Sequence, residues 1–303
     1  MYSVGGPAWL FCPADRPERF GKAAATADVV ILDLEDGVAP GDKDYARRCL
    51  QDTLLDPART VVRVNPVGTD EHEADLKALA ATDYMRVMPA KCESAQQVTS
   101  LAPREVIALI ESPLGALKVD EIALAAGTVG LMWGAEDLVV GLGGQSSRRG
   151  DGTYRDVARH VRSQALLAAK AYGRFALDSV YLNIRDHDGL RAEALDAVAV
   201  GFDAKVAIHP GQVAVIRSAY APSAEDVAWA RRVLAAVPEE RGVFQFEGRM
   251  VDAPVLRHAE QILHRSGQSE AAPGQSEAAA GQSEAAAGQS EAAAGQSEAA
   301  AGA

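Results

Sequence analysis

The sequence predicts an α/β fold, a (β/α)8 TIM barrel followed by a C-terminal helical lid segment and a disordered low-complexity tail. Three observations predict the barrel. Short apolar runs alternate with helix-like stretches, eight such runs fit into about 265 residues, and no G-x-G-x-x-G fingerprint follows the first run. Alternating strands and helices form right-handed βαβ units and a parallel sheet. Eight strands in this length favour a barrel over the alternative, an open doubly wound sheet.

The predicted strands are apolar runs of four to seven residues. They are WLFCP (9–13), VVILDLE (29–35), VVRVN (61–65), RVMP (86–89), VIALIE (106–111), VGLMW (129–133), LDSVYL (177–182) and KVAIHP (205–210). Helix-like stretches lie between them, and the longest covers residues 154–173. Val157, Val161, Ala165 and Ala168 recur there at the spacing of a buried helix face.

The domain prediction has three parts. Residues 1–220 form the barrel, 221–265 form a helical lid or oligomerisation segment, and 266–303 form the tail. From Gly267 the chain reads GQSEAAP once and GQSEAAA four times. Alanine as the only apolar side chain cannot build a core, so we expect disorder. The seven-residue period does not indicate a coiled coil, because the seam lacks leucine or isoleucine.

Composition narrows the class of protein. With 48% hydrophobic residues, the chain can bury a sizeable core, yet it has no apolar run of membrane-spanning length. No secretory signal is visible, so a cytoplasmic location is expected. Cys12, Cys49 and Cys92 are too dispersed for a disulfide framework or a zinc ribbon. A net charge of −12 argues against a nucleic-acid partner.

The second strand ends in acids. Because side chains alternate along a strand, Val30, Leu32 and Leu34 share the face that suits the helix layer. Asp33 and Glu35 are therefore predicted to point into the barrel. Catalytic groups in such barrels gather at the carboxyl ends of the strands.

The same alternation predicts which residues of two other strands face inward. It places Arg63 and Asn65 of the third strand inside the barrel. With Val206 assigned to the outer face of the eighth strand, Lys205 and His209 are also predicted to face inward.

Five carboxylates are predicted to converge at this rim, opposed by Arg63 and by Lys91 or Lys205. They are Asp33, Glu35, Asp36, Glu111 and Asp137. Crowded carboxylates repel or protonate unless a cation lies among them. No histidines are paired at ligand spacing, so zinc is disfavoured, and an all-oxygen site suits Mg²⁺. The alternative is that these groups only satisfy one another, for example through an Asp33–Arg63 pair.

Seven motifs, in order and at family spacing, carry a family resemblance. They are LFCPADRPERF, VVILDLEDGV, VVRVN, ALIESPLGAL, WGAEDL, IHPGQV and FEGRMVDAPVL. From about residue 8 to 265 the chain resembles the citrate lyase β-subunit-like (CitE-like) proteins of the malyl-CoA lyase/HpcH-HpaI aldolase superfamily. The likeness is strongest to their stand-alone actinobacterial form.

The resemblance implies a Mg²⁺-dependent TIM barrel, a homotrimer that acts on a C–C bond next to a coenzyme A thioester. Glu111 and Asp137 would be the metal ligands, and Glu111 would also contact substrate. Arg63 would hold the substrate carboxylate, for which a guanidinium fork is better suited than a lysine. Glu35 and Asp36 would hold metal-bound waters or help to move protons.

Four further residues are candidates for a role at or near the site. The resemblance implies that Asp252 is an acid/base acting at the neighbouring subunit's barrel, and it also fits a helix N-cap. Arg16 would contact phosphate or thioester. Lys91 follows MPA instead of the family's Leu-Pro, which weakens any role in binding coenzyme A phosphates. His209 fits a loop-anchoring or barrel-floor residue better than a ligand.

The leading functional prediction is a lyase that cleaves malyl-CoA, citramalyl-CoA or a related 3-hydroxy-3-methyl acyl-CoA by retro-Claisen chemistry. The products would be an acyl-CoA and a 2-oxo acid. Alternatives are a malyl-CoA thioesterase, a non-catalytic subunit of a citrate lyase complex, and an aldolase of free 2-oxo acids. Neither a membrane nor a nucleic acid is an expected partner.

Overall fold

The structure is a computed structural model that describes residues 4–237 and 242–267. Within it the chain divides into two compact units, one ending at Tyr220 and one beginning at Ala221. The predicted disordered tail from residue 268 onward lies outside the described residues.

The first unit is a closed barrel of eight parallel strands, in which β1 pairs with both β2 and β8. The strands are β1 (Ala8–Pro13), β2 (Val29–Asp33), β3 (Thr60–Val64), β4 (Arg86–Pro89), β5 (Glu105–Ile110), β6 (Thr128–Trp133), β7 (Phe175–Asp178) and β8 (Ala204–Ala207). Helices alternate with them, so the predicted (β/α)8 fold is confirmed.

The barrel has ten α-helices in its described residues. They are α1 (Phe20–Thr26), α2 (Lys43–Asp52), α3 (Asp70–Leu79), α4 (Ala95–Thr99), α5 (Pro113–Leu117), α6 (Val119–Leu124), α7 (Ala135–Gly141), α8 (Asp156–Ala171), α9 (His187–Val200) and α10 (Pro210–Tyr220). None of the helices in the described residues is long and apolar enough to cross a membrane.

Apolar side chains form two layers around the strands. Val30, Leu32 and Leu34 belong to the layer beneath the helices, and Val29 and Ile31 belong to the barrel interior, as the alternation predicted. The interior also contains Trp9, Val61, Met88, Ile107, Leu109, Val129, Met132, Phe175, Leu177, Ala204 and Val206. The barrel centre is therefore filled with side chains, and an active site is expected at the rim of the barrel.

Three predicted strands extend two or more residues too far. The second ends at Asp33 instead of residue 35, the seventh at Asp178 instead of 182, and the eighth at Ala207 instead of 210. Val180 follows β7 but still packs on the interior cluster. An apolar residue can thus continue the core after backbone pairing has stopped, and hydrophobicity alone does not mark the strand end.

The predicted inward placement of Lys205 and His209 is wrong. Val206 packs in the barrel interior, and Lys205 donates to Asp178 at 2.9 Å. Asp178 also accepts from Arg162 of α8, so this buried pair lies between the strands and the helices. His209 is exposed and accepts a hydrogen bond from a nearby backbone N–H. Both barrel layers are apolar, so the position of valines does not reveal which face of a strand points inward.

The buried face of α8 differs by one residue from the prediction. Val161, Ala165 and Ala168 are buried as expected, but Val157 is 43% exposed and Ala158 is buried instead. At 100° per residue, Val157 falls at the edge of the buried arc and Ala158 falls within it.

The second unit contains two helices and a hairpin in its described residues. They are α11 (Ala224–Ala235), β9 (Phe244–Phe246), β10 (Arg249–Val251) and α12 (Ala253–Arg265). Their apolar faces share a small core, which includes Val233, Val251 and Ile262. The lid or oligomerisation role of this segment stays a prediction.

Candidate active site

Charged side chains follow the carboxyl ends of five consecutive strands. We call this group the acidic mouth: Asp33, Glu35, Asp36, Arg63, Lys91, Glu111 and Asp137. Asp33 ends β2, Arg63 lies in β3, Lys91 and Glu111 follow β4 and β5, and Asp137 lies in the first turn of α7. Parallel strands bring these ends together. The prediction that acids converge at this rim is confirmed by their shared contacts with Arg63 and Lys91.

Arg63 is bound by two carboxylates. Its Nε and Nη2 donate to the two oxygens of Asp33, each at 2.7 Å, and Nη1 lies 3.0 Å from Glu35 Oε2. Burial alone would lower the pKa of Arg63, but Asp33 and Glu35 together raise it. The Asp33–Arg63 pair considered from the sequence is thus present. Asp33 and Glu35 thus contact three of the five guanidinium N–H groups of Arg63.

Asp33 has a structural task besides its pair with Arg63. Its Oδ1 accepts from the backbone N–H of Glu35 and its Oδ2 from that of Gly37, both at 2.9 Å. These bonds shape the turn that carries Glu35 and Asp36. With both oxygens used, Asp33 is poorly suited to hold a metal.

A lysine side chain donates hydrogen bonds to the backbone of this turn. Lys43 of α2 donates to the carbonyl oxygens of Leu34 and Glu35 at 2.8 and 3.0 Å, and to Asn65 Oδ1 at 2.8 Å. Asn65 also donates through its amide group to Asp75 of α3. The prediction that Asn65 faces the barrel interior is therefore wrong, because its partners lie on α2 and α3. Sequence analysis missed Lys43 and Asp75, and no motif marked them.

Glu111 is a buried carboxyl group whose surroundings disfavour its ionised form. It is 4% exposed, and its Oε1 accepts from the backbone N–H of Lys91 at 3.0 Å. Burial and then the negative charge of Asp137 raise the pKa of Glu111 to about 8, despite Arg63 and Lys91. A cation between Glu111 and Asp137 would relieve both effects.

Lys91 contacts three acids of the mouth. Its Nζ lies 2.5 Å from Glu35 Oε1, 3.3 Å from Asp137 Oδ1 and 3.5 Å from Asp36 Oδ2. Burial alone would lower the pKa of Lys91, but the hydrogen bond to Glu35 and the nearby charges raise it. Lys91 is thus part of the acidic mouth. The shifted proline of MPAK made this position look less important than its contacts show.

Two predicted site residues are placed elsewhere. Arg16 follows β1 with an exposed side chain, 3.6 Å from Asp15. Asp252 lies in the second unit, where Oδ1 accepts from the backbone N–H of Val255 at 3.4 Å and caps α12. The N-cap interpretation of Asp252 is confirmed, and the catalytic roles of Arg16 and Asp252 stay predictions.

The donor set fits a magnesium ion better than a zinc ion. No group of three or more His, Cys, Asp or Glu side chains between residues 4 and 237 or 242 and 267 is arranged to hold a metal by itself. Mg²⁺ commonly uses one or two protein carboxylates and takes its other oxygens from water or substrate. Glu111, whose pKa burial and the charge of Asp137 raise, matches that requirement together with Asp137.

The Glu111 side chain occupies space that any side chain at residue 134 would fill, and Gly134 has none. A Cβ atom at Gly134 would lie 2.8 Å from both Cβ and Oε2 of Glu111, too close for an ordinary contact. Gly134→Ala is therefore expected to displace the carboxylate, lowering Mn²⁺ affinity and turnover about tenfold or more. A Mn²⁺ titration and steady-state rates would measure this. The control is Gly21→Ala in α1, where an added methyl meets nothing within 4 Å; equal behaviour of the two variants would contradict the prediction.

A closed parallel barrel with acids, an arginine and a lysine at the carboxyl ends of its strands has the architecture of a TIM-barrel enzyme. Comparison with known proteins makes the class specific. Residues 8–210 match the HpcH/HpaI aldolase/citrate lyase family, and the chain belongs to that family. The predictions of a CitE-like family and of a lyase are thereby confirmed.

Three comparisons describe the likeness. The chain is 65% identical over 266 residues to a citrate lyase subunit beta-like protein of Mycobacterium tuberculosis, covering 88% of this chain and 97% of that protein. It is 32% identical to the mitochondrial citramalyl-CoA lyase of Homo sapiens, covering 84% and 83% of the two chains. A crystal structure of CitE from M. tuberculosis with magnesium, acetoacetate and coenzyme A superposes with a TM-score of 0.85, at 65% identity and with 87% and 99% coverage.

Proposed function

We propose that the protein is a Mg²⁺-dependent carbon–carbon lyase that cleaves a 3-hydroxyacyl-CoA into an acyl-CoA and a 2-oxo acid. The substrate class is malyl-CoA, citramalyl-CoA or a 3-hydroxy-3-methyl acyl-CoA. The observation that carries the proposal is a pair of carboxylates that meet at Lys91. The buried Glu111 accepts from the Lys91 backbone N–H, and Asp137 lies 3.3 Å from the Lys91 ammonium. The human relative's name and the magnesium and coenzyme A in the M. tuberculosis crystal structure support it.

Glu111 and Asp137 would hold the metal. When bound there, Mg²⁺ would supply Lewis acidity that lowers the pKa of a substrate hydroxyl and neutralises developing charge on oxygen. The protein's task is then to orient the hydroxy acid and to move protons.

Arg63 is the orienting group in this proposal. Asp33 and Glu35 hold its guanidinium in one position, and its two remaining N–H groups would bind the substrate carboxylate. Phe11 packs on the guanidinium, with its ring centroid 4.8 Å from Cζ, which further restricts the side chain. A fixed donor pair selects a carboxylate geometry better than a mobile ammonium does.

The carboxylates of Glu35 and Asp36 differ in their contacts. Both oxygens of Glu35 are bound, one by Arg63 and one by Lys91. Asp36 is more exposed, and it lies 3.5 Å from the ammonium group of Lys91. We therefore assign Asp36 the role of taking the hydroxyl proton and Glu35 the role of positioning Arg63 and Lys91.

Asp252 is proposed to return a proton to the acyl-CoA product, acting at a neighbouring subunit of a homotrimer. Asp252→Asn tests this cleanly, because asparagine is as good an N-cap as aspartate and keeps α12 intact. We expect turnover to fall about a hundredfold or more with little change in KM or in helix content. Steady-state kinetics and circular dichroism would measure this, and undiminished turnover would confine Asp252 to capping.

An experiment with mixed trimers would show whether Asp252 acts at its own barrel or at that of a neighbouring subunit. If it serves a neighbour, mixing Asp252→Asn with Glu111→Gln protein should restore part of the activity. Failure to recover activity in trimers shown to be mixed would place Asp252 at its own barrel. The homotrimer and the cytoplasmic location are themselves expectations that sedimentation and cell fractionation can check.

A substrate panel tests the function directly. Malyl-CoA, citramalyl-CoA and 3-hydroxy-3-methylglutaryl-CoA are assayed with Mg²⁺ and with EDTA, and products are separated by chromatography. A lyase releases acetyl-CoA only with the metal, together with a 2-oxo acid from malyl-CoA or citramalyl-CoA, or with acetoacetate from 3-hydroxy-3-methylglutaryl-CoA. Free coenzyme A without acetyl-CoA would indicate a thioesterase, products from pyruvate without coenzyme A would indicate an aldolase, and no turnover would leave the non-catalytic subunit.

A further inference from the structure

We propose that Lys91 is an internal counter-cation that competes with the divalent metal for Asp137 and leaves this carboxylate when the metal binds. The proposal rests on the proposed function, because it assumes that Glu111 and Asp137 form a metal site. It gives this lysine a task separate from substrate binding. The metal-free mouth is held together by the ammonium, and the metal-loaded mouth no longer needs it at Asp137.

The backbone of Lys91 is held next to the metal site by both of its neighbours. The N–H of Ala90 donates to Val64 O of β3, and that of Cys92 donates to Leu109 O of β5, each at 3.1 Å. Between these two anchors Lys91 adopts a φ of +50°, a conformation that non-glycine residues rarely adopt. This conformation directs the Lys91 N–H to Glu111 Oε1 at 3.0 Å. The position of the backbone is thus set independently of the ammonium group.

The loop is also packed tightly against α5. A Cβ atom at Gly115 would lie 2.4 Å from the carbonyl oxygen of Cys92, so only glycine allows this approach. Ser112, the N-cap of α5, donates to Glu93 at 2.7 Å. A loop held on three sides keeps its place when a side chain moves.

The ammonium occupies the space between acids that a metal would also use. Its distances of 2.5 Å to Glu35, 3.3 Å to Asp137 and 3.5 Å to Asp36 make Asp137 one partner of three. Two cations cannot share one carboxylate without repelling each other. Lys91 can yield Asp137 and keep Glu35, because its side chain is flexible and one-third exposed.

Two consequences distinguish this arrangement from a purely structural lysine. The ammonium weakens metal binding, since the metal must displace it from Asp137. The ammonium also stabilises the metal-free protein, because its positive charge offsets the repulsion between the crowded carboxylates. A bound metal ion offsets the same repulsion, so the contribution of the ammonium to stability is then smaller.

The first test compares Mn²⁺ affinity by electron paramagnetic resonance in the full-length wild type, Lys91→Met and Lys91→Gly. Methionine removes the charge at similar length, and glycine removes it while relieving the positive φ. Both variants are expected to bind Mn²⁺ about threefold to tenfold more tightly than the wild type. Lys118→Met, which removes an exposed lysine paired with Glu121, controls for the lost charge and should bind like the wild type.

The second test measures the thermal midpoint of wild type and Lys91→Met with and without saturating Mn²⁺. We expect the midpoint of Lys91→Met to be lower without Mn²⁺ and the difference to shrink with it. Equal or weaker affinity in the Lys91 variants, tightening in only one of them, or a midpoint difference that Mn²⁺ leaves unchanged would each overturn the proposal while leaving the metal site intact. If no protein binds Mn²⁺, both the inference and the proposed function fail.

Discussion

Glu111→Gln is expected to lower the Mg²⁺-dependent turnover of an acyl-CoA substrate by about a thousandfold or more. The substitution keeps the size of the side chain and an oxygen that can accept from the Lys91 N–H. It removes the negative charge that we assign to metal binding. The loss should appear as a lower rate at saturating substrate and as weaker Mn²⁺ binding in the same preparation.

The fold should survive Glu111→Gln. Burial raises the pKa of this carboxyl to about 8, so its ionised form is costly in the metal-free protein and a neutral amide replaces it easily. Glu136→Gln is the matched control, because Glu136 neighbours Asp137 in the chain but accepts from Ser147 outside the mouth. Wild-type turnover in Glu111→Gln, or an equal loss in Glu136→Gln, would refute the ligand assignment.

Arg63→Met is expected to abolish turnover and to lower the free energy of unfolding by about 3 to 5 kcal/mol. Asp33 is 3% exposed and both its oxygens bind Arg63, so the substitution leaves a buried carboxylate without its cation. Glu35 loses a partner as well. Urea denaturation measures the stability, and the substrate panel measures the turnover.

A second substitution separates the two roles of Arg63. Adding Asp33→Asn to Arg63→Met removes the uncompensated charge and should restore part of the lost stability. Restoration is incomplete because Asp33 also accepts from the N–H groups of Glu35 and Gly37 through both oxygens. Turnover should not return. If the double variant is active, Arg63 serves only to neutralise Asp33 and does not bind substrate.

The barrel could be predicted from the sequence because each strand is a local feature. Strand count, the order of strands and helices, and the acids after β2, β5 and β6 are all visible in short stretches of chain. The alternation of Val30, Leu32 and Leu34 was also predicted correctly, since Asp33 lies between them and marks the other face. In β8 the charged residue marks the opposite face, because Lys205 pairs with Asp178 between the strands and the helices, and it was therefore assigned to the wrong side.

The contacts of the mouth could not be predicted in the same way. Lys91 was underrated from a displaced proline, and Asn65 was placed with Arg63 although it bonds Asp75. Lys43 supports the Glu35 turn from a helix that carries no family motif. These errors concern the partners of polar groups, while the predicted positions of Lys91 and Asn65 just after their strands were close to right.

The sequence by itself determined the fold, the family and the presence of an acid-rich rim, because these follow from local periodicity and from motifs in fixed order. Only the tertiary structure decided which acid meets which cation. Arg63 and Asp33 are 30 residues apart, and Lys91 and Glu35 are 56 apart. Such pairs depend on strand register and barrel closure, which bring distant residues within hydrogen-bonding distance. Hydrogen bonds and ion pairs act only at that distance, so no local pattern in the chain encodes them.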